Sequence, residues 1–181
     1  MALSSLTPNI SKLIIPSIGS LFKSYDHFVF DCDGVLWSYP TPMPHAKKLL
    51  HSLQEQNKSI FIITNASQKS RVSIQTLIRD FFDVEISLDR IFTSNYLAAR
   101  YLSHNYPQVK RAYVVGHEII RTELNNVGVS TNQFEHDAEE FFLKEFESQE
   151  YLNSLAAELR SDQEKNGKYD AVVTGIDSGF N

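Results

Sequence analysis

The stretch that decides the fold is FVFDCDGVLW, residues 28–37. Its first three residues form a short apolar run, which is typical of a strand buried on both faces. Asp31, Asp33 and Gly34 follow this run. Because side chains alternate along a strand, the two acids are expected to point the same way at its carboxyl end, where ligands bind in open α/β sheets. Neighbouring carboxylates repel each other, and a divalent cation with oxygen ligands, such as Mg²⁺, would offset that repulsion.

The same residues also allow a simpler interpretation, a solvated turn that closes a hairpin. A second motif, FIITNASQKS at residues 61–70, favours a site. This second apolar run ends in Thr64 and Asn65, just before a helix-like segment. Two strands thus end in polar loops that suit one phosphate-sized site, although Thr64 and Asn65 also fit a turn that caps a helix.

Apolar runs alternate with amphipathic segments along most of the chain. Strands are predicted at about 27–30, 59–63, 90–92, 111–115 and 171–174. Four helices are predicted. The first begins near His45 and has the core stripe Ala46, Leu49, Leu50 and Leu53, and the second covers 68–82, with Ser67 as N-cap and with Val72, Ile74, Leu77 and Ile78 facing inward. The third runs from Ser94 to about His104, and the fourth covers 118–126. This alternation predicts βαβ units and a mainly parallel sheet.

Composition places the chain among ordinary globular proteins: 181 residues, 42% hydrophobic and 22% charged. The net charge of −5 argues against a nucleic-acid surface, and no apolar run is long enough to span a membrane. Cys32 is the only cysteine, so an intrachain disulfide is excluded, and we interpret it as a small buried side chain. Residues 1–24 faintly resemble a transit peptide, but a lead-in segment fits better, and a cytoplasmic location is expected.

The segment 134–164 differs in charge from the rest of the chain. It contains ten acidic and two basic residues, a net charge of −8. Phe141, Phe142, Phe146, Leu152, Leu155 and Leu159 lie near helical spacing. One or two amphipathic surface helices with a solvated acidic face are therefore predicted, and a docking helix for a basic partner is the alternative.

Four segments together carry a family resemblance: DCDGVLW, TNASQKS, AYVVGHEIIRTEL and DAVVTGIDSGFN. In this order they resemble the haloacid dehalogenase superfamily, in particular the capped branch of 4-nitrophenylphosphatases, phosphoglycolate phosphatases and pyridoxal phosphate phosphatases. The resemblance implies an α/β fold with a Rossmann-like, mainly parallel sheet and flanking helices. Residues 25–181 would form the N-terminal part of the core, and about 130–168 would be an acidic helical insertion.

The resemblance also implies a chemistry, the hydrolysis of phosphate monoesters of small metabolites. Asp31 would be the nucleophile that forms an aspartyl phosphate, and Asp33 would be the general acid and base. Mg²⁺ would be held by the carboxylate of Asp31 and the backbone carbonyl of Asp33. Substrate binding would fall to four residues of the two loops: Gly34, Thr64, Asn65 and Ala66. The family more often has a second Asn in place of Ala66, a change that a backbone contact tolerates.

The resembling enzymes also use a lysine and a GDxxxxD motif that follow their cap domain. This chain ends at Asn181, where the cap would begin, so an incomplete core without a cap is expected, as in a fragment or a truncated form. Such a core would need C-terminal residues for catalysis, and it would leave Phe28 and Phe30 at an open sheet edge. Lys69 falls inside a predicted helix and is expected to face solvent, which makes it a poor substitute for the missing lysine. Asp177 matches a GxD motif but equally fits a turn, and no chemistry is assigned to it.

Two other functions remain open. An inactive protein of the same fold could act in binding, and a generic nucleotide-binding α/β domain would explain the alternation. The nucleotide-binding interpretation is the weaker one, because the sequence has no GxGxxG or GxxxxGK[ST] loop after any predicted strand. The expected partner is a small phosphorylated metabolite, and binding to nucleic acid or to a membrane is not expected. The full-length form could be a homodimer. The turnover of p-nitrophenyl phosphate with and without Mg²⁺ would separate an enzyme from an inactive protein.

Overall fold

A computed structural model describes residues 18–132 and 149–175. Its helices are α1 (Ile18–Ser24), α2 (Ala46–Glu55), α3 (Arg71–Phe82), α4 (Ser94–Asn105), α5 (Glu118–Asn126) and α6 (Gln149–Asn166). Its strands are β1 (His27–Phe30), β2 (Trp37–Ser38), β3 (Thr41–Pro42), β4 (Ser59–Thr64), β5 (Ile91–Thr93), β6 (Arg111–Val115), β7 (Ser130–Thr131) and β8 (Ala171–Thr174). None of these helices combines the length and apolarity needed to cross a lipid bilayer.

The long strands form two parallel sheets. The first has the order β1-β4-β5, with Phe28 opposite Ile60 and Thr64 opposite Thr93. The second has the order β7-β6-β8. Helices connect successive parallel strands, as βαβ units require, and the predicted α/β class with parallel sheets is confirmed. The antiparallel hairpin of β2 and β3 and the short strand β7 were not predicted.

Each sheet packs against its own apolar cluster. The cluster beside the first sheet includes Trp37, Leu50, Leu53, Ile74 and Phe82. The cluster beside the second sheet includes Ala99, Ala112, Val114, Ile120 and Leu124. The predicted core stripe of α2 is confirmed, because Ala46, Leu50 and Leu53 are buried and Leu49 packs against them.

Helix α3 begins later than the sequence pattern predicts. Its N-cap is Ser70, whose hydroxyl accepts a hydrogen bond from the N–H of Ser73 at 3.0 Å, so the prediction of Ser67 as N-cap is wrong. Ile74 and Ile78 are buried as predicted, but Val72 is 56% exposed. The later start places residues 65–70 in the loop after β4 and leaves that loop long enough to line a cavity.

Strand β1 is an edge strand of the described sheet. Phe28 and Phe30 turn one face toward the core, whereas Val29 on the other face is 58% exposed. The expectation of a strand buried on both faces is therefore wrong for the described residues, whereas the open sheet edge expected at Phe28 and Phe30 is confirmed for them. The carboxyl end of this strand, with the two acids, stays open to solvent.

The described part of the acidic segment is helical, as predicted. Helix α6 covers its C-terminal portion, and residues 134–148 lie outside the described residues. Asp162 of α6 pairs with Arg111 of β6 at 2.5 Å between carboxylate and guanidinium. The hydroxyl of Tyr169 also donates to Asp162, so α6 is tied to the second sheet through charged and polar groups.

Candidate active site

The loop after β1 folds back tightly on itself. The carbonyl of Cys32 accepts hydrogen bonds from the N–H groups of Leu36 at 2.8 Å and Trp37 at 3.1 Å. Gly34 has a φ of +82°, a conformation that glycine adopts without strain, and its N–H donates to the carbonyl of Trp37 at 2.7 Å. The indole of Trp37 is fully buried between Phe81 and Phe82. A buried ring thus anchors a loop whose other side carries the acids.

The two acids flank a buried residue and are themselves exposed. Asp31 and Asp33 lie on the solvent side, with Cys32 between them on the core side. One oxygen of Asp31 accepts the N–H of Cys32 at 2.7 Å. One oxygen of Asp33 accepts the indole N–H of Trp37 at 2.9 Å. The arrangement is the one that strand alternation predicted, and each carboxylate is oriented by a single N–H donor.

Cys32 is a structural residue. Burial raises the pKa of its thiol to about 12, a hydrogen bond with Thr64 partly opposes this shift, and the charges of Asp31 and Asp33 reinforce it. A thiol with that pKa stays protonated at neutral pH and is a poor nucleophile. The prediction of a small buried side chain is confirmed.

The loop after β4 lies beside the first loop. Thr64 is 3% exposed, and its hydroxyl accepts the N–H of Ala66 at 3.2 Å. Its side chain is a neighbour of the Cys32 thiol below the surface. Asn65 is exposed, and its carbonyl accepts the hydroxyl of Ser94 at 2.9 Å. The carboxyl ends of β4 and β5 are therefore linked by a hydrogen bond.

A cavity of about 180 Å³ lies between these loops. Its lining residues are Asp33, Asn65, Ala66, Ser67, Gln68 and Lys69. The structure thus brings together three of the residues that the sequence assigned to catalysis or substrate binding. Asp31, Gly34 and Thr64 do not line the cavity itself; they belong to the loops that form it.

Lys69 is placed differently from its prediction. It precedes α3 rather than lying in it, it is half-buried rather than solvent-facing, and it lines the cavity that holds Asp33. Its ammonium lies 5.2 Å from the centre of the Tyr39 ring in the β2–β3 hairpin. The error followed from the predicted helix start, because a helix from residue 68 would turn Lys69 outward.

Asn95 is a buried residue of the site that the sequence analysis missed. Its side-chain amide donates to the carbonyls of Ser67 at 3.2 Å and Lys69 at 3.1 Å. Its amide oxygen accepts the N–H of Tyr96 at 2.7 Å and the hydroxyl of Thr93. Asn95 therefore fixes the path of the cavity loop. The sequence did contain a signal for Asn95, because polar residues follow β5 just as Thr64 and Asn65 end β4.

The acidic loop fits Mg²⁺ by its donor set. Two adjacent exposed carboxylates offer the hard oxygen ligands that Mg²⁺ takes. Within the described ranges no group of three or more His, Cys, Asp or Glu side chains is suited to a metal. Water and phosphate oxygens would have to complete the coordination, and this is usual for Mg²⁺, which keeps several waters and binds through one or two carboxylates plus substrate phosphates.

The second sheet reaches the same region at its carboxyl end. Gly175 follows β8, and a Cβ built at this glycine would lie 3.6 Å from the Cβ of Ser67 and 2.4 Å from the side chain of Ile120. A side chain at this position would therefore require the Ile120 side chain to move. Asp177 lies outside the described residues.

A larger cavity, of about 560 Å³, lies at the opposite end of β4. Two of its lining cations are already engaged: Lys58 pairs with Asp26 at 2.8 Å, and Arg90 lies 5.6 Å from the ring centre of Phe61. It is far from the paired acids along the strand direction. The smaller cavity is the better candidate because it contains Asp33.

The chain is similar to several known proteins. The sequence profile of a family described as haloacid dehalogenase-like hydrolases matches residues 28–130, more than half of the chain. Phosphoglycolate phosphatase 2 of Arabidopsis thaliana is 34% identical over 163 residues, 90% of this chain and 50% of that protein. The 4-nitrophenylphosphatase of Schizosaccharomyces pombe is 35% identical over 108 residues, 59% of this chain and 36% of that protein. The chain therefore spans about half or less of the length of these relatives.

Solved structures show the same fold. The crystal structure of a glycerol phosphate phosphatase from Mycobacterium tuberculosis in complex with magnesium superposes with a TM-score of 0.60 at 18% sequence identity. The match covers 87% of this chain and 38% of that one. At this identity the likeness shows the fold alone.

Proposed function

This chain belongs to the family of haloacid dehalogenase-like hydrolases, and from that premise we propose that it hydrolyses phosphate monoesters of small molecules in a Mg²⁺-dependent reaction. The observation that carries the proposal is the cavity at the carboxyl ends of β1 and β4, where the general-acid candidate Asp33 meets the loop of Asn65 and Ala66. The names of the relatives support the substrate class, since they are phosphoglycolate and 4-nitrophenyl phosphatases. Esters of these two types are the proposed substrates.

In the first step, a carboxylate oxygen of Asp31 attacks the phosphorus atom. The bond from phosphorus to the leaving oxygen breaks, and Asp33 gives its proton to that oxygen. The product of this step is an aspartyl phosphate on Asp31 and a free alcohol. The exposure of both carboxylates supports this proposal, because substrate can reach them from solvent.

In the second step, Asp33 takes a proton from water, and the resulting hydroxide oxygen attacks the phosphorus atom. The acyl phosphate bond breaks, inorganic phosphate leaves, and the carboxylate of Asp31 is restored. The N–H groups of Asn65 and Ala66, with the hydroxyl of Thr64, are proposed to hold phosphate oxygens.

The carboxylate of Asp31 and the backbone carbonyl of Asp33 would hold Mg²⁺. When bound, the ion supplies positive charge that shields the two acids from each other and from the anionic phosphate. Among the described residues each carboxylate has one N–H donor, which leaves much of the repulsion uncompensated and supports this role. A cytoplasmic location and a homodimer stay predictions.

The deciding experiment measures the turnover of p-nitrophenyl phosphate by the protein and by Asp31→Asn. A neutral amide cannot form the acyl phosphate, so we expect the rate to fall by more than about a thousandfold. The matched control is Asp80→Asn, an exposed residue of α3 that should keep the wild-type rate. Near-normal turnover by Asp31→Asn would refute the assignment of the nucleophile.

The metal is tested separately with the same substrate. EDTA should stop turnover and added Mg²⁺ should restore it, whereas Ca²⁺ should substitute poorly because it prefers more ligands at longer distances. Full activity in EDTA would contradict the metal dependence while leaving the nucleophile assignment standing.

A further inference from the structure

The cavity beside Asp33 contains an unexpected cation. Of the described residues that line it, Lys69 is the one with a positive charge, and it shares the lining with Asp33. A phosphoryl group entering this cavity adds further negative charge. Bound Mg²⁺ would offset part of this negative charge, and a cation of the chain itself would offset more.

The backbone of Lys69 is fixed in this position. The buried side chain of Asn95 donates to its carbonyl at 3.1 Å and to that of Ser67 at 3.2 Å. Asn95 is 3% exposed, so these hydrogen bonds are shielded from water. The loop that presents Lys69 to the cavity is therefore tied to the start of α4.

The side chain of Lys69 is also directed. Its ammonium lies 5.2 Å from the ring centre of Tyr39, within the range of a cation–π contact. Tyr39 lies between β2 and β3 and is 61% exposed, so its position is not explained by core packing. An exposed ring over a half-buried ammonium limits the freedom of the lysine at the rim of the site.

We propose that Lys69, held by Asn95 and Tyr39, is a substrate-binding residue that contacts the oxygens of the phosphoryl group beside Asp33. This inference rests on the proposed function for its ligand. Lysine acts on a phosphate as a point charge with three donors, and it needs no fixed planar geometry. Its contribution is to binding, whereas Asp31 and Asp33 carry the chemistry.

The test is the dissociation constant of inorganic phosphate, measured calorimetrically on the whole chain in saturating Mg²⁺. Lys69→Gln should weaken phosphate binding about tenfold, the usual scale for one hydrogen bond to a charged group. Lys69→Arg keeps the charge and the contact with Tyr39 and should recover most of the affinity. Lys110→Gln, an exposed lysine at the amino end of β6, is the matched control and should bind like wild type.

Variants of Tyr39 test whether its aromatic ring positions the ammonium of Lys69. Tyr39→Phe keeps the aromatic face and should leave phosphate affinity unchanged, whereas Tyr39→Leu should weaken it by about two- to fivefold. In turnover assays Lys69→Gln should raise KM more than it lowers kcat. A purely structural lysine would give neither the rescue by arginine nor this split.

Different results would refute the role of Lys69 and the proposed hydrolysis. Asp31→Asn should abolish turnover yet still bind phosphate, because the amide oxygen can still ligate Mg²⁺ and Lys69 is unchanged. Equal phosphate affinity in wild type and Lys69→Gln, or no measurable phosphate binding by the protein, would overturn the role of Lys69. Phosphate binding that depends on Lys69 in a chain without turnover would overturn the proposed hydrolysis and leave Lys69 as an anion-binding residue.

Discussion

Charged side chains cluster both at the carboxyl end of the first sheet and beside β6 of the second sheet. In the first location they are exposed and, among the described residues, unpaired, whereas in the second they are shielded and paired. Asp31 and Asp33 are exposed neighbours of like sign, each with one N–H donor. In the second sheet, by contrast, Asp162 and Arg111 are 10% and 11% exposed and pair directly. The ring of Tyr169 lies 4.1 Å beneath the guanidinium, and its hydroxyl donates to the same carboxylate.

The difference separates charge that stabilises the fold from charge available to a ligand. Asp170 belongs to the first kind, since its carboxylate accepts the N–H groups of Lys110 at 2.8 Å and Arg111 at 3.0 Å. These two hydrogen bonds lower the pKa of Asp170 below its ordinary value. Asp31 and Asp33 lack comparable compensation in the described residues, and two uncompensated acids at the end of a strand are where an added cation gains most.

After Asp31→Asn, the largest expected effect is on activity, from Asp33→Asn. The amide oxygen can still accept the indole N–H of Trp37, so the loop should keep its shape. Loss of the general acid and base should lower steady-state turnover by about 10²- to 10⁴-fold. Because p-nitrophenolate leaves without a proton, the variant should release a stoichiometric burst of it before slow turnover, whereas an alkyl phosphate should give no burst.

Stability provides the control for Asp33→Asn. Removing one of two repelling acids should leave the thermal midpoint unchanged or slightly raised. A clearly lower thermal midpoint would mean that Asp33 stabilises the fold. Steady-state turnover within a few-fold of wild type would mean that Asp33 is not the general acid and base.

The second prediction concerns Asp162→Asn, which leaves the buried guanidinium of Arg111 without its counter-charge. The free energy of unfolding should fall by about 2–3 kcal/mol, because breaking a largely buried pair costs more than losing a surface one. Urea unfolding measures this change. Phosphate affinity in the folded protein should stay at the wild-type value, since the pair lies in the second sheet, apart from the residues that line the cavity.

The matched control for that change is Glu164→Gln. Glu164 lies on the same helix, two residues away and exposed, and it loses the same charge. Its unfolding free energy should stay within about 0.5 kcal/mol of wild type. Equal losses in the two variants would mean that α6 is stabilised by its net charge rather than by the pair.

Much of the fold was predictable because apolar periodicity is a local signal. The strand Arg111–Val115 and the helix Glu118–Asn126 match the prediction, and strand alternation predicted that Asp31 and Asp33 point the same way. The edge exposure of Val29 was not predictable in this way. A run of three apolar residues is the same whether one face or two are covered, and the neighbouring strands decide which.

The site was predictable where chemistry and sequence are adjacent, and less so elsewhere. Asn95 acts on residues 26 and 28 positions away in sequence, so no local pattern reports its hydrogen bonds. Lys69 was misplaced because Ser67 and Ser70 are both acceptable N-caps, and tertiary contacts chose the second. The paired charges of Arg111 and Asp162 are likewise 51 residues apart.

The smallest predicted effect is the pH dependence of the Asp162 contribution. Burial alone would raise the pKa of this carboxyl, but hydrogen bonds from Tyr169, Asn166 and Arg111 outweigh it, and the pKa lies below its ordinary value of 3.8. A carboxyl with a lowered pKa in the folded state stabilises the fold above its unfolded pKa and loses that contribution as pH falls through the folded value. The unfolding free-energy difference between wild type and Asp162→Asn should thus be constant near neutral pH and shrink below about pH 3.8. Glu164→Gln should show no such trend, and a difference that is independent of pH would mean that Asp162 contributes through shape and hydrogen bonding rather than through its charge.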